Sequence, residues 1–217
     1  REKAPITYEE TLDLPSGRKT WSTKLSPVFA EGRVVQIVGS AREITEQKEL
    51  ESRLRYLSDA DPLTGIHNRR KTMEELSREL ERSGRYSHPL SVVMIDLDRF
   101  KQINDRHGHS VGDAILSGFA ETVKALLRPT DAFGRWGGEE FVVILSETTL
   151  KGALTFAERA RAAVAEEELL PGIGVTASFG VASLSESRSS KDDLINAADA
   201  ALYRAKENGR NRVVAAS

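Results

Sequence analysis

The chain has 217 residues, a formal net charge of −2, 39% apolar and 29% charged residues, and no cysteine. That is the mix of a soluble globular domain with an appendage, and it excludes disulfides, thiolate metal sites and a global basic field that would draw the chain to nucleic acid. The longest apolar runs are of strand length, well short of the roughly 20 residues of a membrane helix, and the opening "REKAPITYEE" has no signal-peptide core, so a cytoplasmic piece of a longer protein is expected.

The first predicted elements are three strands, Ile6 to Leu14, Lys19 to Val28 and Arg33 to Ala41, with turns at Pro15 to Gly17 and Ala30 to Gly32. So small a unit buries too little surface to close its own core and must lean on something else. "LPSGRKTW", "LSPVF" and "VVQIVGSAREITEQK" resemble the last three strands of a PAS sensor domain, with Glu43-Ile44-Thr45 where that family usually has Asp-Ile-Thr. The resemblance implies a strand-rich PAS remnant over residues 1–44.

Residues 45–60 read as a helical linker. Thr45 can cap it, and Leu50, Leu54 and Leu57 repeat at i, i+4, i+7. Such a seam either packs on its own domain or pairs with a second copy as a parallel coiled coil. The second reading is favoured, because a polar helix between two strand-rich units has no other obvious core.

From there helices and strands alternate. Helices are predicted over Arg69 to Ser83, Gly112 to Arg128, Thr149 to Glu167 and Lys191 to Asn208, the last opened by Ser190 and Asp193 and closed by Gly209. Leu90 to Leu97 and Gly174 to Ala182 read as single strands, and "DAFGRW" and Phe141 to Leu145 as a hairpin turning at Gly137-Gly138. This order predicts an α/β (α+β) sandwich around one central sheet.

Two acidic stretches carry the chemistry. In "VVMIDLD" the period of two puts Asp96 and Asp98 on one face of a strand end. Asp98 is read as a cap for the helical turn that begins at Arg99. Asp96, still inside the apolar run, needs a metal or a cationic partner, because a buried unpaired carboxylate is costly. In "RWGGEEF" two adjacent glutamates, Glu139 and Glu140, stand where a core strand begins. If the two strands are antiparallel neighbours, Asp96 and Glu139 meet at one edge and form an oxygen-only site, which favours Mg²⁺ or Mn²⁺ over Zn²⁺ and suits a phosphate-rich substrate. Lys206 and Arg210 lie four apart near a helix C-terminus. They can grip one anion or simply be surface charge favoured by the helix dipole. His67, His107 and His109 are read as structural, and "DPLTG" as an ordering turn with Asp61 bonded to Arg69 or Arg70.

"DPLTGIHNRR", "MIDLDRFKQIND", "HGHSVGD", "RWGGEEF" and "ADAALYRAKENGRN" resemble, in order and spacing, the motifs of the GGDEF family of diguanylate cyclases, over about Asp61 to Val214. The resemblance implies a palm-like domain over 61–217, with a central mostly antiparallel sheet flanked by helices and related to adenylyl cyclase catalytic domains. It also implies a reaction in a bacterial signalling protein: two GTP condense to cyclic di-GMP with release of two pyrophosphates.

Carried over residue by residue, Asp96, the Leu97 carbonyl and Glu139 resemble the ligands of Mg²⁺ (or Mn²⁺), and Glu140 the second signature acid. Asn104 and Asp113 are similar to residues that recognise guanine, and Lys101, Lys206 and Arg210 to residues that hold the β- and γ-phosphates. Gly137 and Gly138 then let the backbone approach the nucleotide. Each domain holds one GTP, so a homodimer is implied for catalysis. Arg128 and Asp131 match an RxxD product-inhibition site, with Arg159 a further contact, although RxxD alone also fits a helix-ending Arg and a turn Asp. No nucleic-acid partner and no membrane segment in this chain are expected. The rival readings are a domain that binds GTP or cyclic di-GMP without turnover and an interaction-only scaffold, which leaves the acids unexplained.

Overall fold

The computed structural model describes residues 4–15, 17–50, 59–167, 169–185 and 189–216. They fall into two compact units that divide between Ser58 and Asp59.

The first unit is a meander of three antiparallel strands in the order β1 (Ile6–Leu14), β2 (Gly17–Ala30) and β3 (Arg33–Glu43), close to the predicted spans. Glu31 and Gly32 turn the second hairpin with φ of 53° and 72°. Ile6, Tyr8, Leu12, Val35 and Ile37 are all exposed, and Thr23 and Ile44 are its buried residues. Residues 45–50 are helical. Leu54 and Leu57 of the predicted seam lie outside the described residues.

The second unit is built on a five-stranded sheet in the order β5-β6-β4-β7-β8, where β4 is Leu90–Leu97, β5 Ala132–Gly137, β6 Glu140–Ser146, β7 Ala177–Ser183 and β8 Val213–Ala215. All its pairings are antiparallel except β7 with β8. Helices α1 (Arg69–Tyr86), α2 (Phe100–His107), α3 (His109–Ala125), α4 (Leu150–Glu166) and α5 (Lys191–Glu207) accompany it. All eight residues of β4 are buried, as expected of a central strand covered on both faces.

The period of two sorts its side chains into two cores. Val93, Ile95 and Leu97 join Phe141, Phe179 and the apolar stripes of α3 and α4, while Val92 and Met94 join Val142, Ile144 and the stripes of α1 and α5. Helix α5 lies directly on β7. A Cβ on Gly180 would come within 2.1 Å of the Ala198 carbonyl and 2.2 Å of the Leu202 amide. That close approach brings the C-terminal end of α5 to the end of β4.

Two short elements go beyond the prediction. Helix α2 runs two turns to His107, and the three-residue β8 adds a parallel edge strand. The predicted helix start at Gly112 moves back to His109, because Gly108 at φ 86° ends one helix and begins the next.

Candidate active site

Asp96 closes β4 on the face that carries Val92 and Met94. Its Cα partner across the ladder is Glu140, and the next amide, Leu97 N–H, donates to the Glu139 carbonyl at 3.3 Å. Antiparallel register thus sets Asp96 opposite Glu140 at the shared strand end, whereas the sequence leads one to expect Glu139, which stands one residue before β6. Lys206, from the last turn of α5, places its Nζ 2.7 Å from Asp96 Oδ2. Burial pushes the Asp96 carboxyl up to about 6; Lys206 opposes that rise, and the charges of Glu139 and Glu140 add to it. The edge therefore carries more negative charge than one ammonium neutralises.

Among the described residues no three His, Asp or Glu side chains gather closely enough to hold a metal on side chains alone. Two carboxylates of this strand end and a backbone carbonyl would offer hard oxygens only. Such a set fits a small divalent cation that keeps water and substrate phosphate in its shell. Glu140 also lines a groove of about 620 Å³ with Met94, Trp136 and Asp199.

The hairpin turn is braced from behind. Arg135 donates through Nε and Nη2 to the Gly138 carbonyl, at 2.9 and 2.7 Å, and through Nη1 to Asp61 at 3.3 Å. Asp61 in turn accepts from the amide and hydroxyl of Thr64. The expected bond from Asp61 to Arg69 or Arg70 is thus corrected. Arg70 pairs with Asp59 and Glu74, and Arg69 stacks 4.4 Å over the Trp136 ring. Gly138 needs its freedom for φ 55°; a Cβ at either turn glycine meets no protein atom within 4 Å.

Gly112 of α3 lies against Asn104 of α2, and a Cβ there would fall 1.9 Å from Asn104 Oδ1, so a larger residue would displace that side chain. Asn104 Oδ1 is buried without a hydrogen-bond partner, and Asp113 and Lys101 are exposed. Arg210 is exposed on the turn after α5, and its own amide bonds the Ala205 carbonyl at 3.0 Å.

Arg128, Asp131 and Arg159 line a separate cavity of about 230 Å³. Asp131 Oδ2 accepts from the Arg128 amide at 3.0 Å, while Oδ1 is buried and unpartnered. Burial raises the Asp131 carboxyl, opposed by the Arg128 amide and charge and by the Ser146 amide. Arg159 is held by the Leu126 carbonyl at 2.9 Å and lies over the Phe156 ring.

Asp98 departs from its expected role. The N-cap of α2 is Arg99, at φ 56° with no side-chain cap, and Asp98 is instead a buried acceptor for Thr176, Ser178 and the Asn211 amide. Sequence reasoning missed this network and the Arg135 brace. The one available signal was the period of two, which puts Asp98 on the Asp96 face and so toward Ser178.

Residues 58–212 match the family described as diguanylate cyclase, GGDEF domain. Diguanylate cyclase DgcM of Escherichia coli K12 is 43% identical over 174 residues, which is 80% of this chain and 42% of that protein. The chain thus spans less than half the length of this relative. Among solved structures, the coiled coil and GGDEF domain of DgcB from Caulobacter crescentus, in complex with c-di-GMP, superposes with a TM-score of 0.76 at 28% identity, covering 80% of this chain and 93% of that one. The active GGEEF domain of a Vibrio cholerae diguanylate cyclase gives 0.67 at 36% identity, covering 69% and 97%. With the motifs, the match over residues 58–212 and these likenesses in agreement, the chain belongs to the GGDEF domain family of diguanylate cyclases.

Proposed function

We propose that this chain condenses two GTP into cyclic di-GMP as a homodimer. The observation that carries the reading is the convergence of Asp96, Glu139 and Glu140 at the shared end of β4 and β6, with Asp96 raised to about 6 by burial and its acidic neighbours. A divalent cation, Mg²⁺ or Mn²⁺, would be held by Asp96, the Leu97 carbonyl and Glu139. When bound it supplies charge neutralisation at the α-phosphate and a lowered pKa for the attacking hydroxyl.

The remaining work falls to the chain. Asn104 Oδ1, buried and unpartnered, would accept from the guanine edge together with the Asp113 carboxylate, which an adenine could not match. Lys101, Lys206 and Arg210 would hold the β- and γ-phosphates, with Lys206 turning from Asp96 to the nucleotide. Gly137 and Gly138 leave the turn open to close approach, since nothing of the protein stands within 4 Å of a Cβ there. In each condensation the 3′-oxygen of one GTP bonds the α-phosphorus of the other and loses its proton. The bond to the β-phosphate breaks, and pyrophosphate leaves.

Each chain has one such strand end, so two copies must face each other for the hydroxyls to reach. The helical segment that begins at Thr45 is the proposed pairing element, and the β1–β3 meander the proposed end of a PAS sensor. The cavity of Arg128, Asp131 and Arg159 is the proposed product-inhibition site. Guanidinium forks suit phosphate, and the Asp131 carboxylate suits a guanine edge.

Incubating the protein with Mg²⁺ and GTP over a range of protein concentrations tests the reading. Cyclic di-GMP and pyrophosphate are expected, with a rate that rises more steeply than linearly. GTP binding without product from a demonstrably dimeric sample would instead favour a sensor that does not turn over.

A further inference from the structure

Two carboxylates at the end of β4 clasp the C-terminal end of α5, and they do so differently. Asp96 takes the Lys206 ammonium. Asp98, only 6% exposed, takes three donors: Thr176 Oγ1 and Ser178 Oγ at 2.7 Å each, and the Asn211 backbone amide at 2.9 Å. Its own amide donates to the Thr176 carbonyl at 2.8 Å. The longest of these links spans 113 residues from the strand end to the turn beyond α5.

That turn is conformationally demanding. Gly209, Arg210 and Asn211 follow one another with φ of 112°, 65° and 46°. The first two close α5, Gly209 N–H on the Lys206 carbonyl at 3.4 Å and Arg210 N–H on the Ala205 carbonyl at 3.0 Å, the pattern that ends many helices at a left-handed glycine. Left-handed non-glycine residues in succession persist only where the surroundings over-determine them. Here Asp98 holds the Asn211 amide, and Arg161 Nη1 of α4 holds Asn211 Oδ1 at 2.8 Å. Arg210, between the closed helix end and the pinned Asn211, has no carboxylate partner among the described residues. It lines a groove of about 520 Å³ that also reaches Asp98, Arg99 and Arg106.

We infer that Asp98 is a positioning residue for nucleotide binding: it pins the Gly209–Asn211 turn to the end of β4 so that Arg210 is presented in the groove it shares with Asp98. The inference rests on the proposed role of Arg210 in holding phosphate. The Lys206–Asp96 pair cannot serve as the permanent tether, because both of its members are assigned to ligands and must exchange partners. Asp98 has no such second duty.

The test is a double-mutant cycle on the equilibrium affinity for 3′-deoxy-GTP, which lacks the attacking hydroxyl and so separates binding from turnover. Removing a hydrogen bond to a charged group costs about tenfold in affinity, so Asp98→Ala and Arg210→Ala are each expected to weaken binding about tenfold. If Asp98 acts through Arg210, the double variant binds no more weakly than Arg210→Ala, because coupled residues are not additive. Asp98→Asn is expected to recover most of the loss. Its amide oxygen can face Thr176 and Asn211 while its NH₂ turns to the Ser178 hydroxyl, which can accept.

Where Asp98→Ala does not fold, Arg161→Ala releases the other pin on Asn211, with about threefold weaker binding that also vanishes in the Arg210→Ala background. Full additivity in either cycle overturns the inference and leaves the role of Arg210 standing. Unchanged affinity in Arg210→Ala, with weakened affinity in Asn104→Ala, removes the phosphate role of Arg210, and the inference with it.

Discussion

The strand-end site and the arginine cavity share one feature and differ in another. Among the described residues, the buried side-chain oxygens or nitrogens left without a hydrogen bond are Asn104 Oδ1, proposed above for the first, and Asp131 Oδ1, at the second. Leaving such a group unsatisfied costs about 1–3 kcal/mol, so each is a place where donors from outside the chain are expected. The charge around them differs. Three carboxylates crowd the end of β4 and β6 around the single Lys206 ammonium, whereas in the cavity Arg128 and Arg159 stand with Asp131 and Glu147. On the proposed reading a purine edge is read at both places, with the phosphates met through a cation at one and directly by arginine at the other, and that contrast would separate a site built for chemistry from one built for occupancy.

The largest effect should come from removing charge at the strand end. Glu139→Gln keeps the shape of the turn and loses one of the proposed cation ligands, and turnover is expected to fall by about 10²–10³, the scale of losing one electrostatic stabiliser of a transition state. Affinity of the arginine cavity for added cyclic di-GMP should not change. Equal losses at both places would break the contrast, since one collapse of the fold would then explain them.

The intermediate effect is at the cavity. Arg128→Ala is expected to raise the concentration of cyclic di-GMP needed for half-inhibition about tenfold, the value of one charge-assisted hydrogen bond. An unchanged inhibition curve would take the cavity out of regulation altogether.

How much of this could be read from sequence depends on the range of the interaction. The sheet and its helices follow from short patterns: the apolar run Leu90–Leu97, the Gly-Gly turn, and the Ser190–Asp193 capping box, which forms as expected. Asp96 and Glu140 fall opposite each other because antiparallel register needs only the two strand ends to be right. Asp98 was misread because a strand-end Asp before a helical turn usually caps it. Its actual partners lie 78, 80 and 113 residues away, where no local pattern points. The partner of Arg135 was invisible for the same reason, 74 residues back at Asp61. The three-residue β8 is too short to show a period at all. The meander of β1 to β3 was legible in outline, and its exposed Ile6, Val35 and Ile37 bear out the expectation that so few strands close no core.

The smallest expected effect concerns how the two sites are braced. In the cavity Arg159 is held by a neutral acceptor, the Leu126 carbonyl. The hairpin of the strand-end site is held through the Asp61 carboxylate, by way of Arg135 and the Gly138 carbonyl. Burial pulls the Asp61 carboxyl upward, but the Thr64 hydroxyl and amide and the Arg135 charge outweigh it and leave it below its ordinary 3.8. A carboxyl lowered by folding stabilises the folded state above its unfolded value, and that contribution is lost as pH falls through the lower, folded value. Asp61→Asn is therefore expected to cost about 1 kcal/mol near neutral pH, or about 3 °C in melting temperature for a domain of this size. The gap between variant and wild type should narrow as pH drops below 3.8, because the wild type then loses the same charge. Thermal melts of the two proteins from neutral to acid pH measure it directly. A gap that stays constant into acid would mean that the brace acts through shape alone, and the two sites would then be held by the same kind of contact.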